Sequence, residues 1–216
     1  MGAFAVSQEI LRENLLPFND IEAATRLTTR GGEQPIKVGE ESFLQDQTIF
    51  VDSTFFEVFA YTFEDGNPAT ALQSPNSVVL TADLALKYFG RTDVVGDYME
   101  IGEDGTLFQV TGIVEEQTKN SHLPTGMWMP IYPRLRGHSN WMSGSLYNYV
   151  KLAEGVKETD LLAVFDQLLR QEIYPKVNPE MELDAWLASS NSVRFYPQAL
   201  QGIYLGERLR FDLSAG

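Results

Sequence analysis

Apolar and polar positions alternate in several short stretches of the chain, and a helical repeat governs only a few others. Ser7–Leu16 puts Ile10, Leu11 and Leu15 on one side of a predicted helix that Pro17 ends. Ile21–Thr29 reads as a strand and "RGGEQP" as a loop. In "IKVGEESFL", Ile36 and Val38 share a face of a hairpin turning at Gly39-Glu40. "QTIFVD" is a further strand, and Asp52 or Ser53 is placed to cap a short aromatic helix, "TFFEVF". "EDGNPAT" has turn composition.

The next stretch, "SVVLTADLALKYFG", begins as a β-branched strand and continues as a helix. Thr81 suits the N-cap, Asp83 the positive helix start, and Gly90 the left-handed residue after the end. Val78, Val79, Leu80, Leu84 and Phe89 are its expected buried positions. "YMEIGEDGTLFQVTGIV" then predicts a hairpin, two alternating segments flanking Asp104-Gly105. "TGMWMPIY" and Leu146–Leu152 are strands. Thr159 opens a helix with an apolar stripe of Leu161, Leu162, Phe165, Leu168, Leu169 and Ile173, closed by Pro175. Ser192–Pro197 and "GIYLGERLRF" complete the extended segments. The total is about eight to ten strands and four helices without regular βαβ alternation, which is an α+β fold.

Length and charge narrow the function. The 216 residues suffice for one large domain or two small ones. A net charge of -14 repels phosphates and anionic headgroups, so nucleic acid is not expected as a partner. With no cysteine there is no disulfide, thiol nucleophile or Cys-ligated zinc. No apolar run reaches the ~20 residues of a membrane span, and the N-terminus lacks a signal peptide's basic start and apolar core. Met1-Gly2 and the closing Ser-Ala-Gly are expected to bound a soluble piece of a longer protein.

Candidate chemistry is sparse. There is no G-x-x-x-x-G-K-[ST], no G-x-G-x-x-G and no G-x-S-x-G. The turn Leu80-Thr81-Ala82 has no glycine to admit a phosphate, so Thr81 is a cap rather than a nucleophile. His122, in the loop "KNSHLP", and His138 lie in no paired-ligand spacing, and Ser121 beside His122 points away from it on an extended chain. The pairs Glu40-Glu41, Glu103-Asp104 and Glu115-Glu116 sit at predicted turns or strand ends and read as solvated surface. Phe55, Phe56, Phe59, Tyr61 and Phe63, with Trp128 and Trp141, are either core or the platform of a carbohydrate site. No catalytic, cofactor-binding or metal-binding residue is assigned, and no cofactor is expected.

The order of segments carries more than any one of them. "VDSTFFEVFAYTFEDGNPATAL", then "PNSVVLTADLALKYFGRTDVVGDYMEIGEDGTLFQVTGIVEE", then "NSHLP", with "YNYVKLAEGVKETDLLAVFDQLL" and "VRFYPQALQGIYL" later, resembles the periplasmic core domain of MacB-type ABC transporter permeases. This group includes the FtsX-like permeases, and the variant resembles that of Bacteroidetes. The resemblance implies a porter-like α/β subdomain, residues 3–51 plus 134–213, with an inserted, mostly β "sabre" subdomain, residues 52–133. It implies a non-catalytic domain facing the periplasm from the inner membrane, coupling cytoplasmic ATP hydrolysis to periplasmic movement in export or mechanotransmission. The implied partners are the transmembrane part of its own permease, a second permease copy, a cytoplasmic ATPase domain or subunit, and a periplasmic adaptor protein. The alternatives are a secreted carbohydrate- or ligand-binding module using the aromatics, and a small hydrolase using His122 or an acidic pair.

Overall fold

A computed structural model describes residues 7–115, 123, 126–135, 141, 144–189 and 192–200. By contacts the chain divides into two compact units, with breaks at Ala24/Thr25 and Leu135/Arg136. The boundaries expected at 51/52 and 133/134 are a different division, drawn on family architecture rather than on contacts.

In the unit spanning residues 25–135, β2 (Ile21–Val38) and β3 (Glu41–Val51) form a long hairpin. Val38 pairs with Glu41 across the Gly39-Glu40 turn, where Gly39 takes a φ of 60°. The segment "RGGEQP" is not a loop. It continues β2 through a bulge between Gly31 and Gln34, with Gly32 at a φ of 93°. The glycines absorb the bulge, Gln34 resumes the ladder opposite Gln45, and its side-chain amide donates to Thr48 Oγ1 at 3.0 Å.

After α2 (Phe55–Val58) come β4 (Phe63–Gly66), β5 (Ser77–Thr81), α3 (Ala82–Phe89), β6 (Tyr98–Ile101), β7 (Thr106–Val114) and β8 (Met127–Pro130). Their pairings close on themselves. β2 pairs β3, β3 pairs β8, β8 pairs β5, β5 pairs β7, β7 pairs β6, and β6 returns to β2 at Ile36↔Ile101. Such a cycle is a barrel, which leaves those strands no open edge. The β3–β8 and β5–β7 pairs are parallel and the other four antiparallel. β4 extends beyond β6 along the other side of β7.

β5 is buried along its whole length, which is why Val78, Val79 and Leu80 run together without alternation. Ile36, Ile49, Val79, Val110 and Trp128 have no exposed surface. In α3 the buried pair is Ala85 and Tyr88, while Leu84 and Phe89, expected inside, are half-buried. Tyr88 lies edge-on to Phe43 at 5.2 Å, so the helix packs by that stripe.

The other unit holds β1 (Ser7–Gln8), α1 (Leu11–Leu15), the first residues of β2, β9 (Gly144–Leu152), α4 (Leu161–Leu168), α5 (Tyr174–Val177) and α6 (Leu183–Ala188). The single helix expected over Ser7–Leu16 is replaced by a strand and one short helix. Residues 7 and 8 pair with β9, and Leu11 and Leu15 bury one turn apart. α4 begins after a tight turn, Glu158–Asp160, where the Asp160 carboxylate accepts from Lys157 N–H at 2.8 Å. Leu161, Val164 and Leu168 form its buried face, whereas Leu162 is exposed. A π turn, Leu169–Ile173, then re-aims the stripe so that Leu169 and Ile173 both bury. Trp141 and Trp186 complete this core. Ser192–Pro197 makes no strand, and "GIYLGERLRF" lies outside the described residues.

Candidate functional site

The strand-to-helix turn at Thr81 is scaffold. Thr81 is extended at φ -71°, ψ 156°, and its hydroxyl accepts from Leu84 N–H at 3.3 Å. Its own N–H donates to Gly126 O at 3.1 Å, and the residue is 3% exposed. A hydroxyl occupied by a cap and closed to solvent is not a nucleophile. Gly90 ends the helix at φ 70°, donating to Leu86 O.

Phe55, Phe56 and Trp128 are core, and Phe59, Tyr61 and Phe63 pack half-buried against them rather than forming a platform. Phe55 and Phe56 meet at 5.2 Å, Phe56 and Phe63 at 4.9 Å, and Tyr61 and Trp128 at 5.2 Å, all near perpendicular except where Phe59 and Tyr61 tilt against Phe55. Edge-to-face packing satisfies ring quadrupoles but offers no coplanar surface to a sugar. Burial pushes the Tyr61 phenol well above its ordinary range. In the other unit, Trp141 is 2% exposed.

Ser121, His122 and His138 lie outside the described residues, as does Glu116. Glu40, Glu41, Glu103, Asp104 and Glu115 are exposed. The structure places two of the acidic pairs at opposite ends of one strand pair. β6 runs antiparallel beside β2, Lys37 opposes Glu100, and Gly102 N–H donates to Pro35 O at 2.9 Å, so the Glu103-Asp104 turn lies at the Pro35 level, at the other end of β6 from the Glu40-Glu41 turn. A shallow groove beside the Glu103-Asp104 turn is lined by Pro35, Lys37, Ser42, Glu100, Gly102 and Glu103. The Thr106 hydroxyl donates to Asp104 Oδ2 at 2.8 Å and holds that carboxyl below its usual value.

One buried polar constellation was not legible in the sequence. Asp52, expected as a helix cap, accepts through Oδ2 from Arg26 N–H at 2.7 Å and Arg26 Nε at 2.9 Å, and through Oδ1 from Arg26 Nη2 at 2.8 Å. Both residues are nearly sealed from solvent, at 5% and 6% exposure. The only sequence signal was an arginine inside the apolar strand "IEAATRLTT". A fully paired, closed carboxylate fastens β2 to the end of β3 and is unavailable to a substrate. Among the described residues no group of three or more His, Cys, Asp or Glu is placed to hold a metal ion. Among them, too, no helix is long and apolar enough to cross a membrane.

Comparison with known proteins agrees with this geometry. The family profile described as "MacB-like periplasmic core domain" matches residues 4–168. Three crystal structures share the fold. A domain assigned to a permease protein of Porphyromonas gingivalis is 21% identical, with a TM-score of 0.68 over 81% of this chain and 82% of that one. The periplasmic region of MacB from Actinobacillus actinomycetemcomitans is 20% identical, with a TM-score of 0.55 over 74% and 71%. The extracellular domain of the noncanonical ABC-type transporter YknZ, from Gram-positive bacteria, is 15% identical, with a TM-score of 0.54 over 77% and 82%. No curated protein matches the chain significantly. With a profile covering most of its length, the chain belongs to the family of MacB-like periplasmic core domains, as the order of its segments indicated.

Proposed function

We propose that this chain is the non-catalytic periplasmic domain of an inner-membrane ABC permease, moved by ATP hydrolysis on the cytoplasmic side. The observation that carries the proposal is the family match over residues 4–168. Two of the similar folds belong to MacB and to an ABC-type transporter, which supports the same reading. Thr81 is spent as a helix cap and Asp52 as the partner of Arg26, so neither is offered to a substrate, which agrees with a non-catalytic body. On this reading the domain works beside the transmembrane part of its own permease and a second copy of it. A cytoplasmic ATPase drives it, and a periplasmic adaptor receives the movement. The porter-like and sabre-like subdomains drawn at 51/52 and 133/134 belong to this proposal.

The absence of cysteine from the chain makes a clean test available. Leu162 is 49% exposed, so Leu162→Cys in an otherwise cysteine-free permease accepts a spin label without disturbing the core. The distance between labels on two copies is expected to change between the nucleotide-free and ATP-bound transporter. An identical distance distribution in both states would overturn the coupling role, and absence of any dipolar coupling would overturn the paired arrangement. Turnover of a substrate by the isolated chain would overturn its non-catalytic character.

A further inference from the structure

Most of the described arginines have a partner, and two neighbouring ones do not. Arg12, Arg26, Arg91 and Arg170 form ion pairs, and Arg194 donates to Leu187 O. The side chains of Arg30 and Arg134 make neither an ion pair nor a hydrogen bond among the described residues. This is so in a chain with 30 Asp and Glu and a net charge of -14. The fold brings the two together. Thr28 opposes Phe50 and Arg30 opposes Thr48, so these four share one face of the β2–β3 ladder. The other face carries Leu27, Ile49 and Val51, all without exposed surface, into the barrel, so the arginine face is outer. Arg134 comes from the tight turn Tyr132–Arg134 after β8 and lays its guanidinium over the Phe50 ring, with Cζ 4.2 Å from the ring centre. Phe50 is the diagonal neighbour of Arg30, about 7–8 Å away, within reach of a long side chain. Partial burial and, after it, the charge of Arg30 hold Arg134 below its ordinary pKa. The turn is well fixed. Ile131 N–H donates to Val51 O and Arg134 N–H to Ile131 O, each at 2.8 Å, and the Tyr132 hydroxyl donates to Gln73 O at 3.4 Å. Glu33 in the bulge of β2 and Asp46 opposite it are the nearest acids in the register, and neither pairs with Arg30 or Arg134.

We propose that Arg30 and Arg134 together dock the Asp or Glu carboxylates of another protein. Each guanidinium is a planar fork that matches a carboxylate, and an anion between the two relieves their repulsion. Both arginines stand exposed on an open strand face. An exposed ion pair is worth little by itself, so the anion must arrive on a body that adds contact of its own, not as a small free ion. Charge narrows the choice of body. A nucleic acid or an anionic bilayer is negative over a wide area and would meet the acidic remainder of the chain. A second copy of this chain brings a further net charge of -14. A different protein can present a few carboxylates on a surface that is otherwise neutral or basic. Screening confines the pull of the two arginines to about 8 Å, so they fix where that protein sits rather than how fast it arrives. The inference rests on the proposed function only for the compartment in which the partner is met.

The test makes Arg30→Lys, and separately Arg134→Lys, in the membrane-bound permease and treats intact cells with a water-soluble carbodiimide. Lysine keeps the charge and supplies an amine. The carbodiimide activates a carboxyl in contact with that amine, an amide forms, and the reagent leaves as a urea. Adducts are sequenced by mass spectrometry. The expected result is that both variants link to Asp or Glu of the same second protein. Adding Arg134→Gln to Arg30→Lys should lower the adduct yield about fivefold or more, the scale of one lost charge-assisted contact. Arg30→Lys with Arg134→Lys keeps both charges and should retain the yield, which separates the charge from the packing on Phe50. Adducts confined to Glu33 or Asp46 of the same chain, adducts with another copy of this chain, adducts with lipid phosphate, or no adduct would each overturn the proposal. So would a yield indifferent to Arg134→Gln. The spin-label distance at Leu162 separates this failure from failure of the coupling role, because it reads movement without requiring the arginines.

Discussion

Asp52→Ala removes the acceptor of three hydrogen bonds and leaves the Arg26 guanidinium inside a closed region. An uncompensated buried charge costs about 3–5 kcal/mol, and at a urea dependence of ~2 kcal/mol per molar this lowers the midpoint by about 2 M. Arg26→Met strands the carboxylate instead and should be damaging by the same mechanism, although Asp52 would still accept from the backbone N–H of residue 26. The double variant contains neither charge. It retains mainly the unsatisfied N–H at residue 26, about 1–3 kcal/mol, and should fall short of the sum of the single variants by about 2 kcal/mol or more. Urea unfolding of the 216-residue chain, followed by circular dichroism, measures all four corners of the cycle. The effect should appear in the transition of the unit spanning residues 25–135, which contains both residues. Additive single variants, or a cost below about 1 kcal/mol for Asp52→Ala, would refute the claim that this pair fastens β2 to β3.

Other measurements reach separate parts of the fold. Thr81→Ala should cost about 1 kcal/mol, and Thr81→Ser much less, because only the capping oxygen matters; equal losses would mean that the methyl group, not the cap, is what the site needs. Gly66→Ala places a Cβ 2.4 Å from Thr111 O at a φ of 90° and should cost about 1–3 kcal/mol. Gly31→Ala has nothing within 4 Å and should shift stability by no more than about 0.5 kcal/mol, so similar midpoints for the two would contradict the close approach of β4 and β7. Trp128, Trp141 and Trp186 are each at most 2% exposed, so native fluorescence should be shielded from iodide and blue-shifted against the unfolded chain; quenching by iodide, or a response to oligosaccharide, would revive a sugar platform. Burial pushes the Tyr88 hydroxyl up from 10.0 to about 12, with Gln45 Oε1 accepting from it at 2.5 Å. The folded state therefore holds this proton more tightly than the unfolded state does. The resulting stability is intact below pH 10 and lost as pH rises toward about 12, and Tyr88→Phe should blunt that alkaline loss in urea titrations at several pH values.

Local chemistry was readable where it depends on near neighbours. Thr81 and Gly90 bound α3 because a cap and a left-handed terminus are decided within four residues, and Gly39-Glu40 and Asp104-Gly105 turn their hairpins for the same reason. Net charge, the absence of cysteine and the order of segments set the class of protein without any coordinates. Errors came where distant pairing competes with local preference. Gly31-Gly32 signalled a loop, but partners on β3 carry the strand through it as a bulge. Residues 7 and 8 fitted a helical stripe, but β9 recruits them into its ladder. Leu162 fitted the apolar face of α4, yet the packed row runs through Leu161, Val164 and Leu168 and leaves Leu162 outside it.

Closure of the barrel and the Arg26–Asp52 pair depend on contacts between segments far apart in the chain. So does the approach of Arg134 to Arg30. Apolar patterning records that a residue is to be buried or exposed, but not which strand will lie beside it. That partner is chosen by the free energy of the assembled sheet, where register puts Glu100 beside Lys37 and brings the turn at Glu103 next to Pro35.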